Sequence, residues 1–236
     1  MEQISCKPIR PTAKDWNKLS VQIPTSQPLI DIIIPVYGAP DDTLRCLYSV
    51  LNAKNQTSFN LIVIEDDGPD PSLRTTLKNL SDKFLFEYYE NETNQGFVLT
   101  CNFGFQIHPE RDVILLNSDT EVFDGWLDIL IGCALQNPKA GTITAMSNNA
   151  TICSYPFFCE DFSFPYEISD SELNKLFFSE NQFQCVKAPT GVGFCMYIRR
   201  ECLKQIGYFN YDLFGKGYGE ENDLCIRAEK AGWSNL

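Results

Sequence analysis

Two unbroken β-branched runs constrain this chain more than anything else in it: LIDIIIPV at 29–36 and FNLIVIE at 59–65. Neither alternates polar with apolar residues. Each therefore reads as a strand buried on both faces, the pattern of a parallel sheet covered by helices on either side. Pro35 is expected to end the first run. Between the two, Leu44, Leu47, Tyr48 and Leu51 form one stripe of a helix capped by Asp41 or Asp42. After the second, Asp70 followed by Pro71 has the form of an N-cap and a first helical residue. They open a helix carrying Leu73, Leu77 and Leu80. The alternation continues with a strand at 84–89, a helix at 96–107, a strand at 112–116 (DVILL), a helix at 126–136 and a strand at 141–146. Residues 147–184, rich in Asn, Phe, Ser and acids, read as a long irregular excursion with a short helix near 170–178. Loops of that length in compact domains are often functional. A strand-like segment at 185–199 holds PTGVGF, a short helix spans 200–207, FNYDLFGKGYG is a loop, and a helix at 220–231 follows. Strands and helices alternating at these lengths define an α/β fold with a mostly parallel sheet.

Charge narrows the partners. The chain has 236 residues, 31 acidic against 19 basic, for a formal net charge of −12. Such a surface repels phosphate polymers, so no nucleic-acid partner is expected. A small phosphate ligand would need a local cation, such as a metal ion, beside it. No run of about 18 apolar residues is present, so no membrane span is expected in the chain. MEQISCKPIRP at the start lacks the apolar stretch of a signal peptide. Residues 1–28 carry four prolines and read as a lead-in or linker, with one large domain over 29–236. The ten cysteines form no CxxC pair, and most lie inside apolar patterns, as Cys46, Cys101, Cys133 and Cys225 do. They read as small core residues in a reducing, cytoplasmic setting. A zinc site is not expected, because His108 is the single histidine.

Three polar clusters, PVYG, EDDGPD and NSDTE, follow buried strands. In open α/β sheets ligands bind beyond the carboxyl ends of strands. Asp66, Asp67 and Asp119 are therefore expected to converge on one edge. Carboxylates there accept hydrogen bonds from a base or ribose, or ligate a hard cation. Asp and Asn also populate ordinary turns, but two clusters in this register favour a functional reading. In GYGEENDLCIRAEKAGW, Glu220, Glu221 and Asp223 fall in a first helical turn, where acids complement the helix dipole. Three acids in four positions exceed what capping needs, and a carboxylate here suits a general base. Arg227 is placed to pair with Asp223. NETNQGFVLTCNFGF carries Asn94, Gly96, Asn102 and Gly104. Gly96 at a helix start permits close approach of a ligand, although by itself it reads as an ordinary junction. His108 reads as a surface or capping residue and Trp126 as helix packing. Lys187 and PTGVGF line either a cleft or a turn.

Taken in order, IIIPVYG, VIEDDGPD, LLNSDTEV and TGVGFCMYIRR…IGYFNYDLFGKGYGEENDLCIRAEKAGW resemble the family 2 inverting glycosyltransferases. The likeness runs from about residue 30 to the end and is greatest to the branch with rhamnosyl- and related cell-surface glycan transferases. It implies a GT-A fold, a Rossmann-like three-layer sandwich with a mostly parallel central sheet. It implies a hexosyl- or deoxyhexosyltransferase that uses a nucleotide-sugar donor, such as a UDP- or dTDP-sugar, and a glycan or lipid-linked glycan acceptor. Work at the inner face of a membrane follows from that acceptor. By position, Pro35, Val36 and Tyr37 match the loop beside base and ribose, and Asp66 matches the acid at the base. Asn117, Ser118 and Asp119 stand where the family has its D-x-D motif, so Asp119 would hold Mn2+ or Mg2+. Glu220 and Glu221 stand at the family's Glu-Asp pair, which makes Glu221 the candidate base and Glu220 the fallback. Family members continue past A-G-W into a strand and a metal-binding histidine, so the domain is expected to be truncated at its C-terminus. Two alternatives are a catalytically silent nucleotide-sugar or glycan-binding domain and a sugar nucleotidyltransferase. The second would carry a basic loop after the first strand, where this chain has the acidic VYGAPDD.

Overall fold

The structure, a computed structural model, describes residues 10–20, 30–150, 152–155, 157–160, 168–181 and 183–236. In chain order its strands are β1 (Ile30–Val36), β2 (Asn60–Glu65), β3 (Glu87–Glu90), β4 (Asp112–Leu116), β5 (Ala140–Thr144), β6 (Cys195–Ile198) and β7 (Ser234–Asn235). Its helices are α1 (Ala13–Trp16), α2 (Pro40–Asn52), α3 (Pro71–Phe84), α4 (Phe97–Ile107), α5 (Trp126–Gln136), α6 (Asp170–Asn181), α7 (Arg200–Ile206), α8 (Tyr211–Phe214) and α9 (Glu220–Lys230). The strands form one sheet in the order β3-β2-β1-β4-β6-β5-β7. Neighbours are parallel except at β6, which runs antiparallel to both β4 and β5.

Alternate side chains of the buried strands feed two cores. Ile32, Ile34 and Val36 pack with Leu44, Leu47, Leu73, Leu77 and Leu127, from α2, α3 and α5, on one face. Ile33, Ile62 and Ile64 pack with Val98, Cys101, Phe105, Leu203 and Leu224, from α4, α7 and α9, on the other. This is the three-layer arrangement expected of unbroken apolar strands, since each face needs its own cover. α4 lies especially close to the sheet: a Cβ on Gly104 would stand 2.8 Å from the Ile33 side chain and 3.1 Å from that of Ile64. Of the described cysteines, Cys46, Cys101, Cys133, Cys153, Cys195, Cys202 and Cys225 are buried free thiols, and Cys185 and Cys159 are more exposed ones. Trp126 is buried in the α5 core, and Asp223 pairs with Arg227 at 2.7 Å.

Several local expectations are corrected. Pro35 does not end β1, because pairing to β4 stops at Ile33↔Leu115 while pairing to β2 continues to Val36↔Glu65. The missing proline N–H thus falls on the side where no ladder bond is needed. α2 is not capped by Asp41 or Asp42. Its N-cap is Ala39, at φ 47°, and Pro40 takes the first helical position, which pushes both acids into the first turn. β3 starts at Glu87 rather than 84, since Phe84 is buried as the last residue of α3 and Leu85 (φ 59°) reverses the chain. FNYDLFGKGYG is not all loop: α8 forms there, capped by the Asn210 side chain. Within the expected lead-in, Trp16 of α1 is buried against Tyr48 and Phe84, while residues 1–9 and 21–29 lie outside the described set. His108 caps the end of α4 and meets the buried Asp31 at 3.0 Å, where Arg111 joins at 2.9 Å. That cluster stands at the amino end of β1, far along the strand from the polar loops.

No helix among the described residues is long and apolar enough to cross a membrane.

Candidate active site

β1, β2 and β4 end at the same edge of the sheet, and β6, being antiparallel, starts there with Leu116↔Cys195. The loops PVYG, EDDG and NSDT and the segment PTGVGF are therefore neighbours. The first two leave together: the Asp66 N–H bonds the Val36 carbonyl at 2.8 Å, and a Cβ on Gly68 would stand 2.8 Å from the Gly38 nitrogen.

Asp66 is buried and organises the floor. Its Oδ1 accepts from Asn91 Nδ2 (2.7 Å) and the Gln95 N–H (2.8 Å). Its Oδ2 accepts from Asn94 Nδ2 (3.1 Å) and the Gly96 N–H (2.8 Å). The carboxylate thereby folds residues 91–96 back over β2 and delivers Gly96 as the N-cap of α4. Gly96 has φ +82°, and a Cβ there would collide with the Lys216 backbone and side chain at 2.8 Å. The Phe97 N–H bonds the Lys216 carbonyl at 3.0 Å. These elements enclose a cleft of about 410 Å³ lined by Pro35, Val36, Tyr37, Asp66, Asn94, Gly96, Phe97, Thr100 and Lys216.

The acids of EDD part company. Asp66 lines the cleft, but Asp67 (φ 52°) is not among its lining residues and pairs with Arg74. Glu65 is buried, accepts the Gly68 N–H at 2.7 Å and meets Arg74 Nε at 2.9 Å. Burial raises its pKa, and these partners oppose the rise.

The second acidic group stands at the start of α9. Glu220 is 3% exposed, and among the described residues its Oε2 has no hydrogen-bond partner. Burial raises its pKa, with the Glu221 charge adding to the rise. Glu221 is half-buried, and its Oε1 lies 2.5 Å from where a Cβ on Gly193 would stand. PTGVGF crosses the first turns of α9: Thr190 Oγ1 donates to Asn222 Oδ1 at 2.7 Å, and the Gly191 N–H points at Cys225 Sγ at 3.0 Å. The same segment carries the NSDT turn, because the Phe194 carbonyl accepts the Asn117 N–H at 2.8 Å and Thr120 Oγ1 at 3.2 Å. The turn closes from the Thr120 N–H to the Asn117 carbonyl at 3.1 Å and leaves Asp119 exposed, with Asn117 and Ser118 half-buried.

A Cβ on Gly217 would stand 3.8 Å from both Glu220 Oε1 and Phe97 Cβ, so Glu220 reaches the wall of the cleft. Two buried thiols feel these charges. Cys101, buried on α4 next in chain to the cleft-lining Thr100, has its pKa pushed well up by burial first and then by Glu221, Glu220 and Asp66. Cys46, under the NSDT turn, is raised by burial, with Asp119 the largest charge acting on it. Of the sequence candidates, Pro35, Val36, Tyr37, Asp66 and Gly96 share the cleft, Glu220 reaches its wall, and Glu221, Asn117, Ser118 and Asp119 join through PTGVGF. Lys187 is exposed. Phe97, Thr100 and Lys216 were not singled out by the sequence. The signal for Lys216 was its position among the glycines at 215, 217 and 219.

Among the described residues no three His, Cys, Asp or Glu side chains form a metal-holding group. Asp119 is a single exposed carboxylate beside the Ser118 hydroxyl in its turn. Mg2+-like cations are commonly held by one or two carboxylates plus substrate phosphates. This donor set fits a cation shared with a diphosphate ligand.

A mixed sheet of this order, covered on both faces and carrying its cleft at the carboxyl edge, defines the chain as a GT-A fold. The chain belongs to glycosyl transferase family 2, whose family model matches residues 31–207. It is 25% identical over 108 residues to the uncharacterized glycosyltransferase YibD of Escherichia coli strain K12, an alignment covering 46% of this chain and 31% of that protein. The mannosyltransferase PcManGT of Pyrobaculum calidifontis, solved with GDP-Man and Mn2+, superposes with a TM-score of 0.60 at 15% identity, covering 94% of this chain and 59% of that one. GalNAc-T7, solved with UDP, GalNAc and Mn2+, superposes with a TM-score of 0.65 at 15% identity, covering 90% and 43%. The chain spans less than two thirds of the length of each of these proteins.

Proposed function

We propose that this chain moves a sugar from a nucleoside diphosphate sugar to an acceptor hydroxyl in a single displacement, with inversion at the anomeric carbon. The observation that carries the reading is a cleft of about 410 Å³ at the carboxyl edge of the sheet, lined by Asp66, with Glu220 at the head of α9 reaching its Phe97–Lys216 wall across Gly217. Pro35, Val36 and Tyr37 flank base and ribose. Asp66 holds the 91–96 loop in place beneath them. Asp119, with Ser118 and Asn117 in its turn, supplies the protein ligand for Mn2+ or Mg2+. When bound, that cation offsets the charge that develops on the departing diphosphate. Support for the donor and the metal comes from the two solved relatives, which hold nucleotides and Mn2+.

Glu221 is the general base. A base needs a route to the acceptor hydroxyl. Glu221 is half-buried against Gly193, whereas Glu220 is enclosed. The likeness to rhamnosyl- and related surface-glycan transferases supports a hexosyl or deoxyhexosyl donor, UDP- or dTDP-linked, and a glycan or lipid-linked glycan acceptor. The test is Glu221→Gln, assayed by donor turnover and donor affinity together. Turnover is expected to fall about 10²–10⁴-fold with donor affinity unchanged. Turnover near that of the wild type would remove Glu221 from the role.

A further inference from the structure

The cleft has an unexplained charge. Among its lining residues Lys216 is the one cation, and it stands on a lip of an acidic protein. Its backbone is fixed from two sides: its carbonyl accepts the Phe97 N–H at 3.0 Å, and its Cα and Cβ occupy the space left by the absent side chain of Gly96. Its side chain is exposed, and Nζ donates to Asn94 Oδ1 at 2.5 Å. That acceptor is a neutral amide. Among the described residues Lys216 makes no ion pair within 4.0 Å, so its charge is left uncompensated.

The carboxylate that lines the cleft with it does not fill the gap. Asp66 already accepts four N–H donors, two on each oxygen, from Asn91, Asn94, Gln95 and Gly96. Four is about the full acceptor capacity of a carboxylate. The cleft therefore offers its ligand one mobile ammonium group, held lightly by an amide that is itself anchored to Asp66. A flexible lysine with a neutral partner is suited to transfer onto an anion, because it gives up one uncharged hydrogen bond and gains a charge-assisted one.

The geometry points to Lys216 as the protein's own phosphate-binding cation in this cleft, one that leaves Asn94 Oδ1 to hold the diphosphate of the ligand. This rests on the reading of the cleft as the donor site, and it adds a second positive charge, independent of the metal, that selects nucleoside diphosphates over nucleosides.

Calorimetric titration of the protein with UDP, dTDP and GDP, and with uridine, thymidine and guanosine, tests it in Mn2+ and again in EDTA. Lys216→Ala is expected to lose at least about tenfold in affinity for the diphosphate that the wild type binds, in both buffers, with nucleoside affinity unchanged. Lys216→Arg, which keeps the charge, should recover most of that loss. Lys204→Ala serves as a control. It removes the same charge from a surface pair with Glu110, outside the cleft, and should leave affinity as in the wild type. Three results overturn the assignment of Lys216 alone: unchanged diphosphate affinity in Lys216→Ala, an equal loss for nucleosides, or an equal loss in Lys204→Ala. Wild-type protein that binds none of the nucleotides, even with Mn2+, would instead overturn the donor-site reading and the inference with it.

Discussion

Glu220 shows how much one residue can be asked to carry. A carboxylate 3% exposed, with one oxygen unpartnered among the described residues, stays charged only at a cost. Its folded-state pKa is raised, so the folded protein holds the proton more tightly than the unfolded chain does. The destabilisation is absent below the unfolded pKa, about 4.3 for Glu. It grows as pH rises through the folded value. Glu220→Gln should therefore raise the melting temperature at pH 7, by about 2–4 °C for each ~1 kcal/mol relieved in a domain of this size. The gain should vanish below about pH 4. A scanning calorimetry series from pH 3.5 to 8 that shows the same difference throughout would rule out the raised pKa as its source. From the sequence, three acids at the head of a helix marked this place. Which of them is enclosed and which faces Gly193 depends on the path of PTGVGF across α9, and no local pattern encodes that.

At the scale of elements, periodicity carried most of the information and local chemistry misled at the ends. The unbroken runs became β1 and β2, and the leucine stripes became α2 and α3. The boundary of β3 slipped because Phe84 is as good a strand residue as a helix residue, and its burial against Trp16 decided the matter. α8 went unread because four residues carry no period. The packing of α4 makes a prediction of its own. Gly104 lets the helix sit against Ile33 and Ile64, with no room for a Cβ at 2.8 Å. Gly104→Ala is expected to destabilise the protein by about 1–3 kcal/mol, despite the better helix propensity of alanine. Urea unfolding should show a lower midpoint with an unchanged m-value. A midpoint at or above that of the wild type would mean that α4 can shift off the sheet without penalty.

For the whole molecule, the charge of −12 sets the terms on which an anionic donor is held. Asp119, Glu220 and Glu221 add to that field around the site, and among the described residues Lys216 is the one cation lining the cleft. Removing the divalent cation should therefore weaken binding of the nucleotide-sugar donor by about tenfold or more. Asp119→Ala should abolish the difference between Mn2+ and EDTA while leaving nucleoside binding alone. Isothermal titration of the donor into both proteins, with and without Mn2+, checks this. A Mn2+ effect of equal size in the variant would remove Asp119 as the ligand.

The sequence alone determined which segments are strands with two apolar faces, and hence that helices must cover the sheet on both sides with polar loops at its ends. Those properties follow from local periodicity and from the need to bury apolar surface. Only the tertiary structure decided that β6 runs against its neighbours. That reversal lays PTGVGF beside NSDT and α9, and the later course of the chain sets Lys216 against Gly96, more than a hundred residues away in sequence. Contacts of that kind depend on how covered layers stack in space, and a linear pattern of residue types holds no record of it.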